Sequence, residues 1–253
     1  MQKIRVIARL DIKNEFVVKG IQLEGLRKLG KPEEFARRYY EAGIDEIIYT
    51  DCVASLYDRN SLADIVERTS EFSFIPMTVA GGIRKVADID ILLKAGADKV
   101  SINTAAVKRP EFITEASRII GSQSIVGSIE AKRQGSGWEA YIDNGREHTG
   151  LDAVEWARRL EDLGAGELFL TSVDRDGTKR GFDVELARAV YKAVSIPVIV
   201  SGGAGKPEDV LPLLEGSGVQ AVAFGSMFHY GLGSVSQVKT CMAGHGYPVR
   251  MTQ

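Results

Sequence analysis

The feature that constrains the fold most is a regular alternation of short apolar runs with amphipathic segments along all 253 residues. The apolar runs cover residues 5–10, 46–50, 77–80, 99–102, 124–129, 167–171, 198–201 and 221–224. Helical patterns separate them at residues 32–42, 62–69, 86–95, 110–120, 151–163, 184–193 and 207–215. Strands that alternate with helices build a parallel sheet, and strands this apolar are buried on both faces. Eight of them predict a single α/β domain over residues 1–253, a (β/α)8 TIM barrel.

An internal repeat sharpens this prediction. Residues 75–82 match residues 196–203 at an offset of 121. The same offset pairs Glu46 with Glu167. With small changes of offset, Asn103-Thr104 aligns with Gly225-Ser226, and Asp11 with Glu130. An open doubly wound sheet also alternates strands and helices, but eight strands in two similar halves favour a closed barrel of two fused half-barrels.

Composition and charge narrow the classes of function. The net charge is -2 and both signs are interspersed, so no basic face for nucleic acid or an anionic membrane is indicated. Cys52 and Cys241 lie far apart in sequence and form no disulfide framework. No signal peptide or bilayer-spanning apolar stretch is recognisable, so we expect a soluble cytoplasmic protein.

Glycine pairs follow the third and seventh predicted strands, where barrel enzymes place their sites. Gly81-Gly82 and Gly202-Gly203 allow backbone N–H groups to approach an anion. Asn103-Thr104 and Gly225-Ser226 follow the next strand in each half, at predicted helix starts that favour phosphate. One glycine pair alone would indicate only a tight turn. Two matched pairs predict two phosphate cradles and a substrate with a phosphate at each end.

Two carboxylates are predicted between the cradles. Asp11 ends strand one and Glu130 ends strand five, an arrangement suited to general acid and base catalysis. Either could instead cap a loop or bind a lysine. The connection over residues 14–30 is polar and long, which is typical of a mobile lid, and its Lys19 could reach a substrate phosphate. The three histidines are scattered, so no metal site is predicted.

Charged residues also stand at the starts of inner strands, at the opposite end of the barrel. They are Arg5, Glu46, Lys99 and Glu167. Charges there often only seal a barrel, but two cations and two anions could form one ring around the axis. Such a ring would be costly to bury unless its members pair.

Five strings cover the barrel from end to end: VIARLDIK at residues 6–13, VVKG at 17–20, ADKVSINTAA at 97–106, LTSVDRDGT at 170–178 and SGGAG at 201–205. Together they resemble the cyclase subunits of imidazole glycerol phosphate synthase. The related phosphoribosyl isomerase of the same pathway shares the half-barrel repeat and the Arg-Asp-Gly-Thr motif. The longer strings and the four charged residues favour the cyclase.

The resemblance implies a specific reaction. A glutaminase subunit, docked at the barrel's bottom as a heterodimer, releases ammonia that crosses the barrel past the gate residues Arg5, Glu46, Lys99 and Glu167. The ammonia joins a bisphosphorylated ribulosyl-formimino aminoimidazole carboxamide nucleotide, giving imidazole glycerol phosphate and aminoimidazole carboxamide ribonucleotide. Asp11 and Glu130 match the catalytic positions, and Asp98 would lie in the partner interface. No organic cofactor is expected, because the chain lacks dinucleotide and Walker fingerprints.

The substrate-binding residues are predicted from the motifs at the strand ends and from the resemblance to the cyclase subunits together. They are Lys19, Gly81, Gly82, Asn103, Thr104, Asp176, Gly177, Thr178, Gly202, Gly203, Gly225 and Ser226. Four residues depart from the family pattern, and the milder changes are Ala80, in place of a glycine, and Asn14, in place of an aspartate. Glu130 replaces an aspartate, and Arg9 replaces a small residue inside the barrel. We expect Arg9 to pair with Glu130, which would lower the pKa of that carboxylate and oppose its use as a base.

Three alternatives to the cyclase remain from sequence. One is a paralogous subunit that delivers ammonia for amidation of a surface-polysaccharide sugar, which Arg9 and Glu130 favour. Another is a non-catalytic scaffold that activates a glutaminase. The isomerase is the third, and it would need no ammonia.

Overall fold

The fold is a closed barrel of eight parallel strands. The computed structural model describes residues 3–54, 62–216 and 218–251. The barrel strands are β1 (Arg5–Lys13), β4 (Glu46–Asp51), β5 (Met77–Ala80), β6 (Lys99–Ile102), β7 (Ile125–Gln134), β10 (Glu167–Ser172), β11 (Val198–Ser201) and β12 (Ala221–Phe224). Neighbours pair in parallel in this order, and β12 returns to β1, so the sheet closes on itself. The predicted (β/α)8 barrel is confirmed.

Helices cover the outside of the barrel. They are α1 (Pro32–Glu41), α2 (Ala63–Ser70), α3 (Val86–Lys94), α4 (Thr104–Lys108), α5 (Glu111–Ile120), α6 (Ala153–Asp162), α7 (Val184–Ala193), α8 (Leu211–Leu214), α9 (Ser226–His229) and α10 (Val235–Gly244). Aspartates that accept backbone N–H bonds fix some starts, as Asp152 does for α6 and Asp183 for α7. The helix predicted over 207–215 begins instead as a 3-10 turn over Pro207–Val210. The helix continues as α8, and Pro212 lies in its first turn, where the missing N–H of proline is tolerated.

Each half also contains a β-hairpin over the barrel mouth. The first has strands β2 (Phe16–Ile21) and β3 (Glu24–Gly30), and the second has β8 (Gly137–Ile142) and β9 (Glu147–Asp152). The connection over residues 14–30, which the sequence analysis describes as long, polar and typical of a mobile lid, contains the first hairpin. These segments pair antiparallel with β1 and with β7, and the pairing satisfies their backbone polar groups.

The two halves share backbone geometry at the mouth. Gly81 and Gly202 have φ angles of 101° and 100°. A Cβ atom at Gly81 would lie 2.5 Å from the Asp51 carbonyl oxygen, and one at Gly202 would lie 2.6 Å from that of Ser172. Glycine is therefore required at both positions, because a side chain would be strained and would collide with backbone.

The barrel interior is layered. A small apolar cluster fills its middle and separates the two ends: Ile7, Ile48, Val126, Phe169, Ile199, Ala221 and Ala223. A much larger apolar core lies between the strands and the helices. The polar residues that matter for the site lie above and below the inner cluster. Within the described ranges, no helix is both long enough and apolar enough to span a bilayer.

Candidate functional site

The first predicted cradle opens into a cleft at the carboxyl ends of β4 to β7. Gly81, Gly82, Asn103 and Thr104 line it, and Glu130 lies on its wall. The cleft encloses about 150 Å³. The structure thus brings the first cradle and one predicted carboxylate to a single open site, with room for part of a small-molecule ligand.

The second cradle is nearly filled. The pocket beside it encloses only about 10 Å³ and is lined by predicted residues: Asp176, Gly177, Gly202, Gly203, Gly225 and Ser226. Lys19 reaches this side of the mouth from β2, and its Nζ lies 3.6 Å from the position of a Cβ atom built on Gly225. Thr178 is the one predicted residue of this half that does not line the pocket. Its hydroxyl donates instead to the Arg175 carbonyl, at 2.7 Å.

A buried ion cluster joins the second cradle to the first carboxylate. Asp11 accepts hydrogen bonds from Arg9 Nε at 2.7 Å and from Lys19 Nζ at 2.6 Å. Lys19 also donates to both carboxylate oxygens of Asp176, at 2.9 and 3.0 Å. Each of the four side chains is at most 5% exposed. With two cations and two anions, the cluster is neutral, which is the condition for burying such charges.

Arg9 crosses the barrel interior from β1 towards β10 and β11. Its Nη1 donates to the hydroxyls of Thr171, at 3.0 Å, and Ser201, at 3.3 Å. The guanidinium carbon lies 5.4 Å from the centre of the Phe169 ring. The expected pairing of Arg9 with Glu130 is wrong, because Arg9 pairs with Asp11, two residues away on the same face of β1.

The two carboxylates consequently differ in proton affinity. Burial raises the pKa of Asp11, but the charges of Arg9 and Lys19 outweigh it and hold that pKa below its usual range. Burial dominates at Glu130 and raises its pKa to about 7, although the Gly145 N–H donates to Oε2 at 2.8 Å and acts in the opposite direction. The expected lowering of the Glu130 pKa is therefore also wrong.

The tips of the two hairpins meet over the mouth. Asn144 Nδ2, in the β8–β9 turn, donates to the Leu23 carbonyl in the β2–β3 turn, at 3.2 Å. The Gln22 N–H donates to the Asp176 carbonyl at 2.8 Å. Because Gly145 follows Asn144 and holds Glu130, this contact links the hairpin that carries Lys19 to the position of the second carboxylate.

A closed ring of four charges lies at the opposite end of the barrel. Arg5 donates to Glu46 at 2.6 Å and also to Glu167. Lys99 contacts Glu167 at 2.7 Å and Glu46 at 3.3 Å. Every charge therefore has two partners of opposite sign. Asp98, on the same end, is exposed and accepts a hydrogen bond from the Met77 N–H at 2.8 Å.

Sequence reasoning missed several polar residues of the cleft. Thr50, Ser101, Ser128 and Asn144 line it beside Glu130. For the first three, the signal was available: each lies two residues beyond an inner position of its own strand and so shares its face. In the described part of the chain, no group of three or more His, Cys, Asp or Glu side chains is arranged to hold a metal ion.

Fold and site define a (β/α)8 barrel whose mouth carries two matched glycine cradles and two carboxylates, and whose other end is closed by a charged ring. Comparison with known proteins gives the same picture. The family described as "Histidine biosynthesis protein" matches residues 5–234. Imidazole glycerol phosphate synthase subunit HisF of Legionella pneumophila is 58% identical over 83% of this chain and 99% of its own length. The HisF subunits of Thermococcus gammatolerans and Pyrococcus furiosus are each 51% identical over 98% of both chains.

The chain belongs to the histidine biosynthesis protein family, among the HisF subunits of imidazole glycerol phosphate synthase. The resemblance read from the motifs is thereby confirmed, and with it the enzyme class, a lyase-type cyclase.

Proposed function

We propose that this chain is the cyclase that joins ammonia to a bisphosphorylated ribulosyl-formimino aminoimidazole carboxamide nucleotide. The products are imidazole glycerol phosphate, aminoimidazole carboxamide ribonucleotide and water. The observation that carries the proposal is the mouth itself. Two cradles of equivalent backbone flank two carboxylates, so a ligand with a phosphate at each end would present its middle to Asp11 and Glu130. The HisF relatives, similar over nearly their whole length, support this assignment.

We propose that the two carboxylates have different roles: Glu130 accepts a proton, and Asp11 stays ionised. Ammonia attacks the substrate's carbonyl carbon with its lone pair, and the C=O π electrons move to the oxygen. The nitrogen then carries a surplus proton, which must be removed and passed to this oxygen before the oxygen leaves as water. A base with a pKa near the working pH accepts such a proton best, and Glu130 at about 7 meets that condition. Asp11 keeps its charge over a wide pH range and holds Arg9 and Lys19 in place.

Ammonia is proposed to come from a glutaminase subunit docked on the face that carries the charged ring. The ring of Arg5, Glu46, Lys99 and Glu167 closes the axis at that face, so opening one of its ion pairs would admit a small neutral molecule. Asp98 lies on the same face and is a proposed contact of the partner. The cytoplasm is the proposed location, which the free thiols of Cys52 and Cys241 support.

The test is turnover of the bisphosphate nucleotide by the purified chain with an ammonium salt at alkaline pH, followed as imidazole glycerol phosphate. We expect turnover without a partner, and its loss in Glu130→Gln and in Asp11→Asn. Binding of the nucleotide without turnover would contradict the proposal and direct attention to amidation of a different acceptor, such as a polysaccharide sugar.

A further inference from the structure

The second hairpin engages both polar side chains of the first cradle. Asn103 Nδ2 donates to the Tyr141 carbonyl at 3.1 Å. The Thr104 hydroxyl donates to Asp143 Oδ1 at 3.3 Å and accepts a hydrogen bond from the Asp143 N–H at 3.2 Å. The single proton of this hydroxyl is therefore already given to a carboxylate. A phosphate that binds in the first cradle must compete with Asp143 for it.

Asp143 brings negative charge to a place where an anion is expected. It is 5% exposed, and its φ of 54° lies in the left-handed region, which few residues other than glycine, Asn and Asp adopt. Lys108, on the wall of the cleft, has its Nζ 3.9 Å from Asp143 Oδ2, which is too long for a hydrogen bond. The Lys108 side chain is 61% exposed, so this ion pair neutralises the carboxylate only in part.

The acidic residue beside the second cradle is placed differently. Asp176 lines the second pocket, and both of its carboxylate oxygens accept hydrogen bonds from Lys19 Nζ, at 2.9 and 3.0 Å. Its charge is neutralised within the buried ion cluster. A phosphate that enters the first cradle thus meets an incompletely neutralised carboxylate, and one that enters the second cradle does not.

We propose that Asp143 is a specificity-determining residue that weakens the first cradle, so that a phosphate binds there firmly only when the same molecule is also held in the second cradle. The inference rests on the proposed function, in which a substrate with two phosphates becomes two products with one phosphate each. The substrate is anchored at its other end, so its phosphate reaches the first cradle at a high effective concentration. A product with one phosphate has no second anchor and leaves, and free inorganic phosphate is kept out in the same way.

The test titrates inorganic phosphate into the isotope-labelled full chain and follows two backbone amide signals by NMR. Gly82 reports on the first cradle and Gly203 on the second. Asp143→Asn removes the charge and Asp143→Gly removes the whole carboxylate, and both replacements tolerate a positive φ. Each should lower the dissociation constant at Gly82 about tenfold, because the repulsion between two anions is lost. The dissociation constant at Gly203 should stay within about twofold. A gain of affinity is a result that damage to the fold would not produce.

Glu147→Gln is the matched control. Glu147 is an exposed acid on β9 of the same hairpin, so its replacement removes the same charge far from the cradle hydroxyl. The dissociation constant at Gly82 should stay within about twofold, because water and salt screen an exposed charge. Thr104→Val removes the contested hydroxyl. In that background, Asp143→Asn should have a smaller effect, about threefold or less, because the two residues act together.

Steady-state kinetics test the consequence for turnover. The inhibition constant of inorganic phosphate against the bisphosphate nucleotide should be about tenfold lower in Asp143→Asn than in the unaltered chain. An unchanged dissociation constant at Gly82 in both Asp143 variants would overturn the inference and leave the proposed function intact. An equal gain at Gly203 or in Glu147→Gln would also overturn it, since the effect would then be one of net charge. Absence of turnover in the unaltered chain would overturn the proposed function, and the phosphate titration distinguishes this case because it needs no nucleotide.

Discussion

Asp11 and Glu130 occupy equivalent places in the two half-barrels, yet their surroundings are opposite. Asp11 accepts hydrogen bonds from two buried cations, whereas Glu130 accepts one described hydrogen bond, from the Gly145 backbone. The cradles differ as well: the first opens beside Glu130 into about 150 Å³, and the second, beside the ion cluster, into about 10 Å³. A repeated backbone therefore does not repeat its chemistry. Side chains from β1 and β2 form a neutral ion cluster with Asp176 on one side of the mouth, and the side that contains the first cradle and Glu130 stays open.

The largest expected effect comes from removing the carboxylate that neutralises the ion cluster. Asp11→Ala leaves Arg9 and Lys19 buried with Asp176 as their only acidic partner in the cluster. We expect the free energy of unfolding to fall by about 3–5 kcal/mol, because an uncompensated buried charge is costly. Glu130→Gln is the matched change in the other half, and at pH 5, where Glu130 is protonated, it should alter that free energy by about 1 kcal/mol or less. Urea unfolding of both variants measures this. Equal losses would mean that the halves do not differ as described.

The second largest effect is on the pH dependence of the free energy of unfolding, to which Glu130 and Asp11 should contribute with opposite signs. Glu130 has a folded-state pKa of about 7, above its ordinary 4.5, so its contribution is present below pH 4.5 and is lost as pH rises through 7. This amounts to at most about 3 kcal/mol. Asp11 has the opposite sign, since its pKa is lowered and its contribution is lost only as pH falls below its ordinary 3.8.

The measurement is the free energy of unfolding at pH 5 and pH 8 for the unaltered chain and for Glu130→Gln. The variant should lack the part of the decline that Glu130 causes. If both proteins decline equally, Glu130 does not titrate in this interval, and its proposed role as the base fails with it.

Substitution of the cradle glycines tests the similarity of the halves rather than their difference. Gly81→Ala and Gly202→Ala each place a Cβ atom against a carbonyl oxygen at a positive φ. Each should lower the free energy of unfolding by about 1–3 kcal/mol. The two costs should agree within about 1 kcal/mol, because the backbone around them is equivalent. A clearly smaller cost at one position would show that its turn relaxes, and that the two cradles are not the same structure.

The smallest effect concerns the contact between the hairpins. Asn144→Ala removes the hydrogen bond to the Leu23 carbonyl and should cost about 1 kcal/mol. Amide hydrogen exchange in residues 22–25 should accelerate, because the first hairpin loses its tie to the second. Arg146→Ala, an exposed position next to the same turn, is the control. Unchanged exchange in Asn144→Ala would show that the hairpins do not support one another.

The barrel could be predicted from the sequence, because its strands are regularly spaced apolar runs that alternate with helical patterns. The cradles were equally predictable, since Gly81 and Gly202 are required by local backbone geometry. The hairpins were not predictable, because β3 and β9 are polar and largely exposed, as loops also are.

The partner of Arg9 was mispredicted for a different reason. Two acidic side chains, Asp11 and Glu130, were within reach of a long guanidinium, and composition does not rank them. The spacing of Arg9 and Asp11 on β1 favours Asp11 as the partner, because residues i and i+2 of one strand share a face. The raised pKa of Glu130 could not be predicted at all, since it depends on burial among residues from β7 and the second hairpin.

The closure of the barrel has a consequence for how the chain is made. Arg5 to Ala8 of β1 pair with Ala221 to Phe224 of β12, so the last gap in the sheet is filled by strands from opposite ends of the chain. Contacts between residues this distant in sequence slow folding. The intervening chain loses conformational entropy before the contacts contribute any favourable free energy. During synthesis, β1 therefore leaves the ribosome long before one of its two barrel neighbours exists. Until β12 is synthesised, this edge of β1 is unpaired and can bind other chains. We therefore expect a chaperone to protect the chain during that time.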